Sequence, residues 1–198
     1  MTPQHQAAIR TFKKNIALQE AGRLESLSGC GSCLKSAATA IRIIPEIIRD
    51  HDVKTIADCP CGDLNWLGTI DMKGVDYRGY DVVEQLIGLN KQKHPEKRFF
   101  VFDAMADVIP PADLIICRDF LFHLSFGEGN RVIDNFRKSG SKLLLTTSFN
   151  DLERNSEIPA GRVYGYRDIN VCIDPYNLGP PIIAEREFGN RFLNLYFL

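Results

Sequence analysis

Three aspartates each end a short stretch of β-forming residues in the 198-residue chain: Asp58, Asp81 and Asp103. Such stretches are typical of buried strands in a parallel sheet, whose carboxyl ends meet at one edge. An ionised carboxylate only accepts hydrogen bonds, so it suits the hydroxyl and ammonium groups of a ligand. The spacing therefore predicts a binding edge with one acid after each of three strands.

The first aspartate opens a turn of small residues, Asp58-Cys59-Pro60-Cys61-Gly62-Asp63. Pro60 and Gly62 prevent the strand from continuing, and Leu64 to Ile70 is expected to open a helix. A strand, a glycine turn and a helix together present backbone N–H groups to a ligand. This turn therefore predicts a binding site for a nucleotide-like cofactor.

Asp81 lies about 20 residues past the glycine turn, where nucleotide-binding domains place an acid for the ribose hydroxyls. It could equally cap the helix that follows it, and both roles are compatible. The loop from Gly29 to Ser32 is rich in hydrogen-bond donors. It is either a plain connector or a backbone nest for an anion or carboxylate.

Helices and strands alternate along the rest of the chain, which predicts a parallel sheet with helices on both faces. The apolar patterns place helices near 4–25, 34–50, 84–93 and 128–139, and strands near 53–58, 77–81, 98–103, 113–117 and 141–149. Residues 150–181 show no lasting period and are expected to form a functional loop or lid. The stretches 181–187 and 191–198 flank a Gly-Asn turn and predict a hairpin.

Composition places the chain among globular proteins of one domain, with a net charge of −1. This charge gives no electrostatic reason to expect nucleic acid or an anionic membrane as a partner. The polar first twenty residues lack the apolar core of a signal peptide, and no run is long enough to span a bilayer, so a cytoplasmic protein is expected. We divide it into a helical cover at 1–25 and a domain at 26–198.

The six cysteines raise the question of zinc, because Cys30-x-x-Cys33 precedes Cys59-x-Cys61. The second pair lies inside the strand and turn, its spacing is not that of a zinc knuckle, and cysteine is a common small buried residue. Packing is therefore the favoured interpretation, and a zinc-stapled domain is kept as a rival.

The acids and the turn together resemble class I S-adenosylmethionine-dependent methyltransferases. The run from Asp58 to Trp66 resembles their first motif, with one glycine where three are common, and Asp81 and the pair Asp103-Ala104 resemble the acids after the second and third strands. With Gly29 to Ser32 and the segment Cys117 to Ser125, the pattern is similar to a small bacterial group of methyltransferases. The resemblance covers residues 26–198 and implies a Rossmann-like sheet that ends in an antiparallel hairpin.

The resemblance also implies roles for individual residues. The cofactor would be S-adenosylmethionine, with S-adenosylhomocysteine as the product, and the acceptor an oxygen or nitrogen of a small molecule or glycan. Cofactor binding is expected from Gly31, Ser32, Asp58, Pro60, Cys61, Gly62, Asp81, Asp103, Ala104 and Arg118. Catalytic roles are expected for His123, as a general base, and for Arg118 and Asp119.

Alternatives remain for several of these assignments. His123 stands in an apolar segment and could be a buried residue bonded to backbone. Arg162, Tyr164, Tyr166, Arg167 and Asp168 could form an acceptor lid or a solvated loop. The whole chain could be a non-catalytic binding protein on the same fold. An NAD-dependent oxidoreductase is a further rival, although the turn lacks the G-x-G-x-x-G pattern that such an enzyme needs.

Overall fold

The computed structural model describes residues 3–158 and 165–198. The chain divides into two compact units, Met1–Phe102 and Asp103–Leu198. Its mixed sheet has seven strands, which lie in the order 98–101, 76–81, 55–58, 114–117, 143–148, 192–197 and 183–186. The predicted Rossmann-like class, mostly parallel with a C-terminal antiparallel pair, is confirmed.

The first unit contains three parallel strands and three α-helices. They are α1 (Pro3–Glu20), α2 (Ala38–Asp50), β1 (Thr55–Asp58), β2 (Asp76–Asp81), α3 (Glu84–Lys93) and β3 (Arg98–Val101). In register, Asp58 pairs with Gly79, and Asp81 pairs with Val101. Apolar side chains of α1 and α3, among them Phe12 and Leu86, form one buried cluster. The N-terminal helix therefore packs against the helix that follows β2.

The first strand of the second unit is buried along its whole length, as its continuous apolar run predicts. Its elements are β4 (Leu114–Cys117), α4 (Phe126–Lys138), β5 (Leu143–Ser148), β6 (Ile183–Arg186) and β7 (Phe192–Phe197). Strands β4 and β5 are parallel, whereas β7 runs antiparallel to both β5 and β6. Helix α4 begins with a capping box in which Ser125 and Glu128 satisfy each other's backbone N–H groups.

Two predictions about helices are wrong in detail. The helix expected from Leu64 is absent, and that stretch contains only a 3-10 helix at Leu67–Thr69. Leu64 has a φ of 54°, which lies outside the right-handed helical region and prevents a helix from starting there. Helix α2 begins at Ala38 rather than Leu34 and runs without interruption through Pro45.

The segment from 150 to 181 contains no helix or strand in its described part, as predicted. Within the described residues, no helix is both long and apolar enough to cross a membrane.

Candidate functional site

Asp81, at the end of β2, holds the glycine turn that follows β1. Its Oδ2 accepts a hydrogen bond from the Gly62 N–H (3.2 Å), and its Oδ1 accepts one from the Val83 N–H (2.9 Å). Burial raises the pKa of Asp81 to about 6. A carboxylate offers about four acceptor positions, more than are used by these two donors and the Val82 N–H, which also interacts with it. The buried carboxylate can therefore also accept from the hydroxyl groups of a ligand.

Asp58, at the end of β1, accepts a short hydrogen bond from the Tyr77 hydroxyl (2.7 Å), and both side chains are buried. Burial and then the charge of Asp58 raise the pKa of Tyr77 well above its usual value. Tyr77 consequently stays a neutral donor to the Asp58 carboxyl group at the edge of the sheet.

The cysteines of the turn lie in the core, as the packing interpretation expects. Cys59 and Cys61 are both buried. Burial, with the nearby charges of Asp81 and Asp58, raises the pKa of the Cys61 thiol well above its usual value, so it stays protonated. A protonated thiol is a poor zinc ligand. Among residues 3–158 and 165–198, no group of His, Cys, Asp or Glu is arranged to hold a metal ion.

Asn90 of α3 also supports the turn, a contact that the sequence did not reveal. Its Nδ2 donates to the Gly62 carbonyl (2.7 Å). Its Oδ1 is buried and has no hydrogen-bond partner within the described part of the chain. Helical spacing alone marks Asn90 only as a residue of the inner face of α3.

The loop predicted as a nest or a connector lies against the same turn. Residues Cys30–Ser32 form a 3-10 helix that begins after Gly29. The φ of Gly29 is 98°, a value that glycine adopts more readily than other residues. The Ser32 carbonyl accepts a hydrogen bond from Asn65 Nδ2 (3.0 Å). The structure therefore brings Gly31 and Ser32 to the turn that contains Gly62.

In the second unit, Asp103 and Ala104 form the turn after β3. Asp103 Oδ1 accepts from the Met105 N–H (3.0 Å), and the Ala104 carbonyl accepts from Asn135 Nδ2 (3.0 Å). Asn135 belongs to α4, so this helix fixes the backbone of the predicted adenine-binding pair. Sequence reasoning missed Asn135.

Arg118 and Asp119, which directly follow β4, belong to a partly buried network of charges, in which the side chains of Arg118 and Glu187 are the buried pair. Arg118 Nε donates to Glu187 Oε1 (3.0 Å), and its Nη1 lies 3.2 Å from Asp119 Oδ2. Arg191 Nη1 contacts both Asp119 carboxylate oxygens (2.8 and 2.7 Å). Thr147 completes the set by accepting from the Asp119 N–H and donating to Oδ1. The structure thus joins the predicted pair to the C-terminal hairpin.

Glu187 and Arg191 stand on either side of the hairpin turn, and the Glu187 N–H donates to the Arg191 carbonyl (2.8 Å). Burial raises the pKa of Glu187, while the neighbouring Arg118 opposes that shift. Two guanidinium groups facing two carboxylates balance the charge of this network. Neither hairpin residue was predicted, because no local pattern connects them to β4.

His123 lies in a 3-10 helix, Leu121–His123. Its Nδ1 is 2.7 Å from the Gly165 carbonyl, and because a carbonyl only accepts, this nitrogen carries the proton. The neutral ring therefore has its lone pair on Nε2. Burial lowers the pKa of His123, so the ring is neutral at physiological pH. The ring is thus bonded to backbone, as one interpretation predicts, and it is in the protonation state that a general base requires, while the catalytic role stays a prediction.

Arg167 faces inward rather than toward solvent. It is buried, and its Nη1 donates to the Leu124 carbonyl (2.5 Å) while its Nη2 donates to the Tyr176 hydroxyl (3.2 Å). Its guanidinium also lies over the Phe126 ring. These contacts tie the loop to the segment that carries His123. Among the other lid candidates, Arg162 and Tyr164 lie outside the described residues, whereas Tyr166 and Asp168 lie within them.

Comparisons with known proteins give matches in structure alone. No family model and no curated protein matches the sequence. Magnesium protoporphyrin IX methyltransferase from Synechocystis PCC 6803, with bound S-adenosylmethionine, aligns over 82% of this chain and 79% of its own with 14% identity and a TM-score of 0.61. An S-adenosylmethionine-dependent methyltransferase from Clostridium acetobutylicum aligns over 80% and 90%, with 14% identity and a TM-score of 0.60.

Human N-acetylserotonin methyltransferase, in complex with S-adenosylmethionine, aligns over 94% of this chain but only 55% of its own, with 14% identity and a TM-score of 0.61. Identity this low carries no residue assignments. The comparisons therefore establish one point, which is that the chain has the class I fold of these S-adenosylmethionine-dependent methyltransferases.

Proposed function

We propose that this protein is an S-adenosylmethionine-dependent methyltransferase that acts on an oxygen or nitrogen of a small molecule or glycan. The observation that carries the proposal is the buried carboxylate of Asp81, which bridges the end of β2 to the Gly62 N–H. A buried acid with acceptor capacity to spare, beside a glycine turn, suits the two hydroxyls of a ribose.

The chemistry of the residues in the first unit fits this cofactor. Asp81 would accept from both ribose hydroxyls, and Asp58 would pair with the ammonium group. Gly31 and Ser32 would donate to the amino-acid carboxylate, and the backbone of Pro60 to Gly62 would line the methionine part. In the second unit, Asp103 and Ala104 would contact the adenine. When bound, S-adenosylmethionine would supply an electrophilic methyl group on its sulfonium, and the neutral thioether of S-adenosylhomocysteine would be the leaving group.

His123 would take the proton that a hydroxyl acceptor loses during methyl transfer. Its Nδ1–H bond to the Gly165 carbonyl orients the ring and leaves Nε2 as the basic nitrogen. The lowered pKa keeps this nitrogen unprotonated at neutral pH. Arg118 and Asp119 are proposed to support this segment through their ion pairs, and the direct catalytic and cofactor roles expected for them remain predictions.

Titration calorimetry with S-adenosylhomocysteine tests the cofactor assignment, and NAD in the same assay tests the oxidoreductase alternative. We expect saturable binding of S-adenosylhomocysteine and none of NAD. No heat and no thermal shift at millimolar S-adenosylhomocysteine would contradict the proposal. Methyl transfer to pools of small-molecule and glycan acceptors then tests catalysis, since cofactor binding without turnover across broad pools indicates a binding protein.

A further inference from the structure

Asp63 belongs to the turn after β1, yet its carboxylate is occupied by a distant part of the chain. Its Oδ1 accepts from the Ser26 hydroxyl (2.8 Å) and the Ser28 hydroxyl (3.2 Å), and its Oδ2 accepts from the Leu27 N–H (2.7 Å). In return, the Asp63 N–H donates to Ser28 Oγ (3.0 Å). Asp63 and Ser26 are both buried. This carboxylate therefore fixes the start of the N-terminal loop.

Asn65, two residues further on, fixes the other end of the same loop. Its Nδ2 donates to the Ser32 carbonyl (3.0 Å) and to Glu25 Oε1 (2.6 Å). The same Glu25 oxygen accepts from the Leu34 N–H (2.8 Å). Residues 25–34 are consequently closed into a loop that is bonded to the turn at both ends.

Gly62 allows the loop to come this close. A Cβ atom at this position would overlap Ser28 Oγ, and the φ of 56° already disfavours a side chain there. The glycine of the turn thus serves the approach of the loop as well as the shape of the turn.

We propose that Asp63 and Asn65 are positioning residues that hold the 25–34 loop closed before the cofactor binds. This inference rests on the proposed function, in which Gly31 and Ser32 of the loop receive the amino-acid carboxylate. A loop that is already ordered costs less conformational entropy on binding. If only a fraction of molecules has the loop closed, the apparent affinity falls by that fraction.

Two variants and two ligands test this assignment. Asp63→Ala removes the acceptor of the Leu27 N–H and of two serine hydroxyls, and Asn65→Ala removes two hydrogen bonds at a half-buried position. S-adenosylhomocysteine carries the amino-acid end, whereas 5′-methylthioadenosine has the nucleoside without it. We expect each variant to lose affinity for S-adenosylhomocysteine by roughly tenfold or more, with affinity for 5′-methylthioadenosine retained within about twofold. Asp71→Ala, at an exposed aspartate after the same turn, is the matched control.

Hydrogen exchange of the Leu27 and Leu34 amides supplies a readout that does not need a ligand, and both variants should accelerate it. Equal losses for the two ligands, or unchanged affinity for S-adenosylhomocysteine, would overturn the inference. If Asp63→Ala does not fold, Asn65→Ala decides the outcome alone. Wild-type protein that binds neither ligand contradicts the proposed function instead, and unchanged amide exchange in the variants then contradicts the closed loop separately.

Discussion

The turn after β1 and the segment after β4 hold their carboxylates with different chemistry. In the first region, Asp81 accepts from backbone N–H groups and Asp63 from hydroxyl and backbone donors. In the second, Asp119 accepts from Arg191 and lies within 3.2 Å of Arg118, which also pairs with Glu187. Neutral dipoles hold the first set, and cations hold the second.

This difference predicts that the two regions have different roles. Carboxylates held by neutral donors keep a negative potential, which attracts a cationic ligand such as one with sulfonium and ammonium groups. Carboxylates paired with guanidinium groups leave little net charge and instead fix the segment that leads to His123. We therefore expect changes in the first region to alter cofactor affinity, and changes in the second to alter turnover or stability.

The sharpest separation of the two regions should come from His123→Asn. Asparagine can keep a donor toward the Gly165 carbonyl, but it has no basic nitrogen. Loss of a general base lowers turnover by roughly 10²- to 10⁴-fold, whereas affinity for S-adenosylhomocysteine should be unchanged. Single-turnover kinetics with a hydroxyl acceptor measures the first quantity and calorimetry the second. Full turnover in the variant would show that His123 only packs against backbone.

Arg118→Ala should destabilise the fold by about 3–5 kcal/mol, because it leaves the Glu187 carboxylate buried without its partner. Burial raises the pKa of Glu187, so protonation at lower pH removes this cost, and the loss of stability should be smaller at pH 5 than at pH 7.5. Urea denaturation of wild type and variant at pH 5 and pH 7.5 measures this loss in the free energy of unfolding.

The matched control is Arg186→Ala, which removes an exposed ion pair with Asp151 on the same hairpin. It should cost at most about 1 kcal/mol at either pH. Equal losses in the two variants would mean that the buried network does not stabilise the second region.

Asp81→Ala should weaken binding of S-adenosylhomocysteine roughly 10²- to 10⁴-fold, because two hydrogen bonds to a charged group are lost at about 1.5–3 kcal/mol each. Calorimetry measures the affinity. Asp76→Ala removes an acid from the start of the same strand and should leave the affinity unchanged. An Asp81 variant that binds as well as wild type would take the ribose role away from this residue.

The affinity should also depend on pH with a defined sign. Ribose hydroxyls donate to the ionised carboxylate of Asp81, whose pKa in the free protein is about 6. Below that value a proton must leave before binding, so affinity should fall by about tenfold per pH unit, and above it affinity should be flat. A profile that is flat from pH 5 to 8 would show that Asp81 is not a ligand group.

The strands and their terminal acids could be predicted because each is encoded locally, by a short apolar run and the residue that ends it. The absence of a helix at Leu64 could not be predicted, because it follows from the positive φ of Leu64, which the residue type does not reveal. Contacts between distant residues were also out of reach. Asp63 meets Ser26 across 37 positions and Arg191 meets Asp119 across 72, and no periodicity connects such pairs. The motif placed Asp63 and Asn65 in the turn without revealing what they hold.

The ion pairs of Arg118 and Asp119 are another example of contacts between residues that are distant in sequence. The sequence identified Arg118 and Asp119 as neighbours after a strand, which suggested chemistry at that position. It did not show that Glu187 and Arg191 of the hairpin would pair with them. The structure places Arg118 and Asp119 in a partly buried network of ion pairs that fixes their geometry, and the catalytic roles expected for them stay predictions.

A crystal structure with bound S-adenosylhomocysteine tests the central proposal most directly. We predict that both ribose hydroxyls lie within hydrogen-bonding distance of the Asp81 carboxylate, and that the amino-acid carboxylate meets the loop at Gly31 and Ser32. A ligand seated elsewhere, with Asp81 still bonded to backbone N–H groups and to no hydroxyl of the ligand, would contradict it.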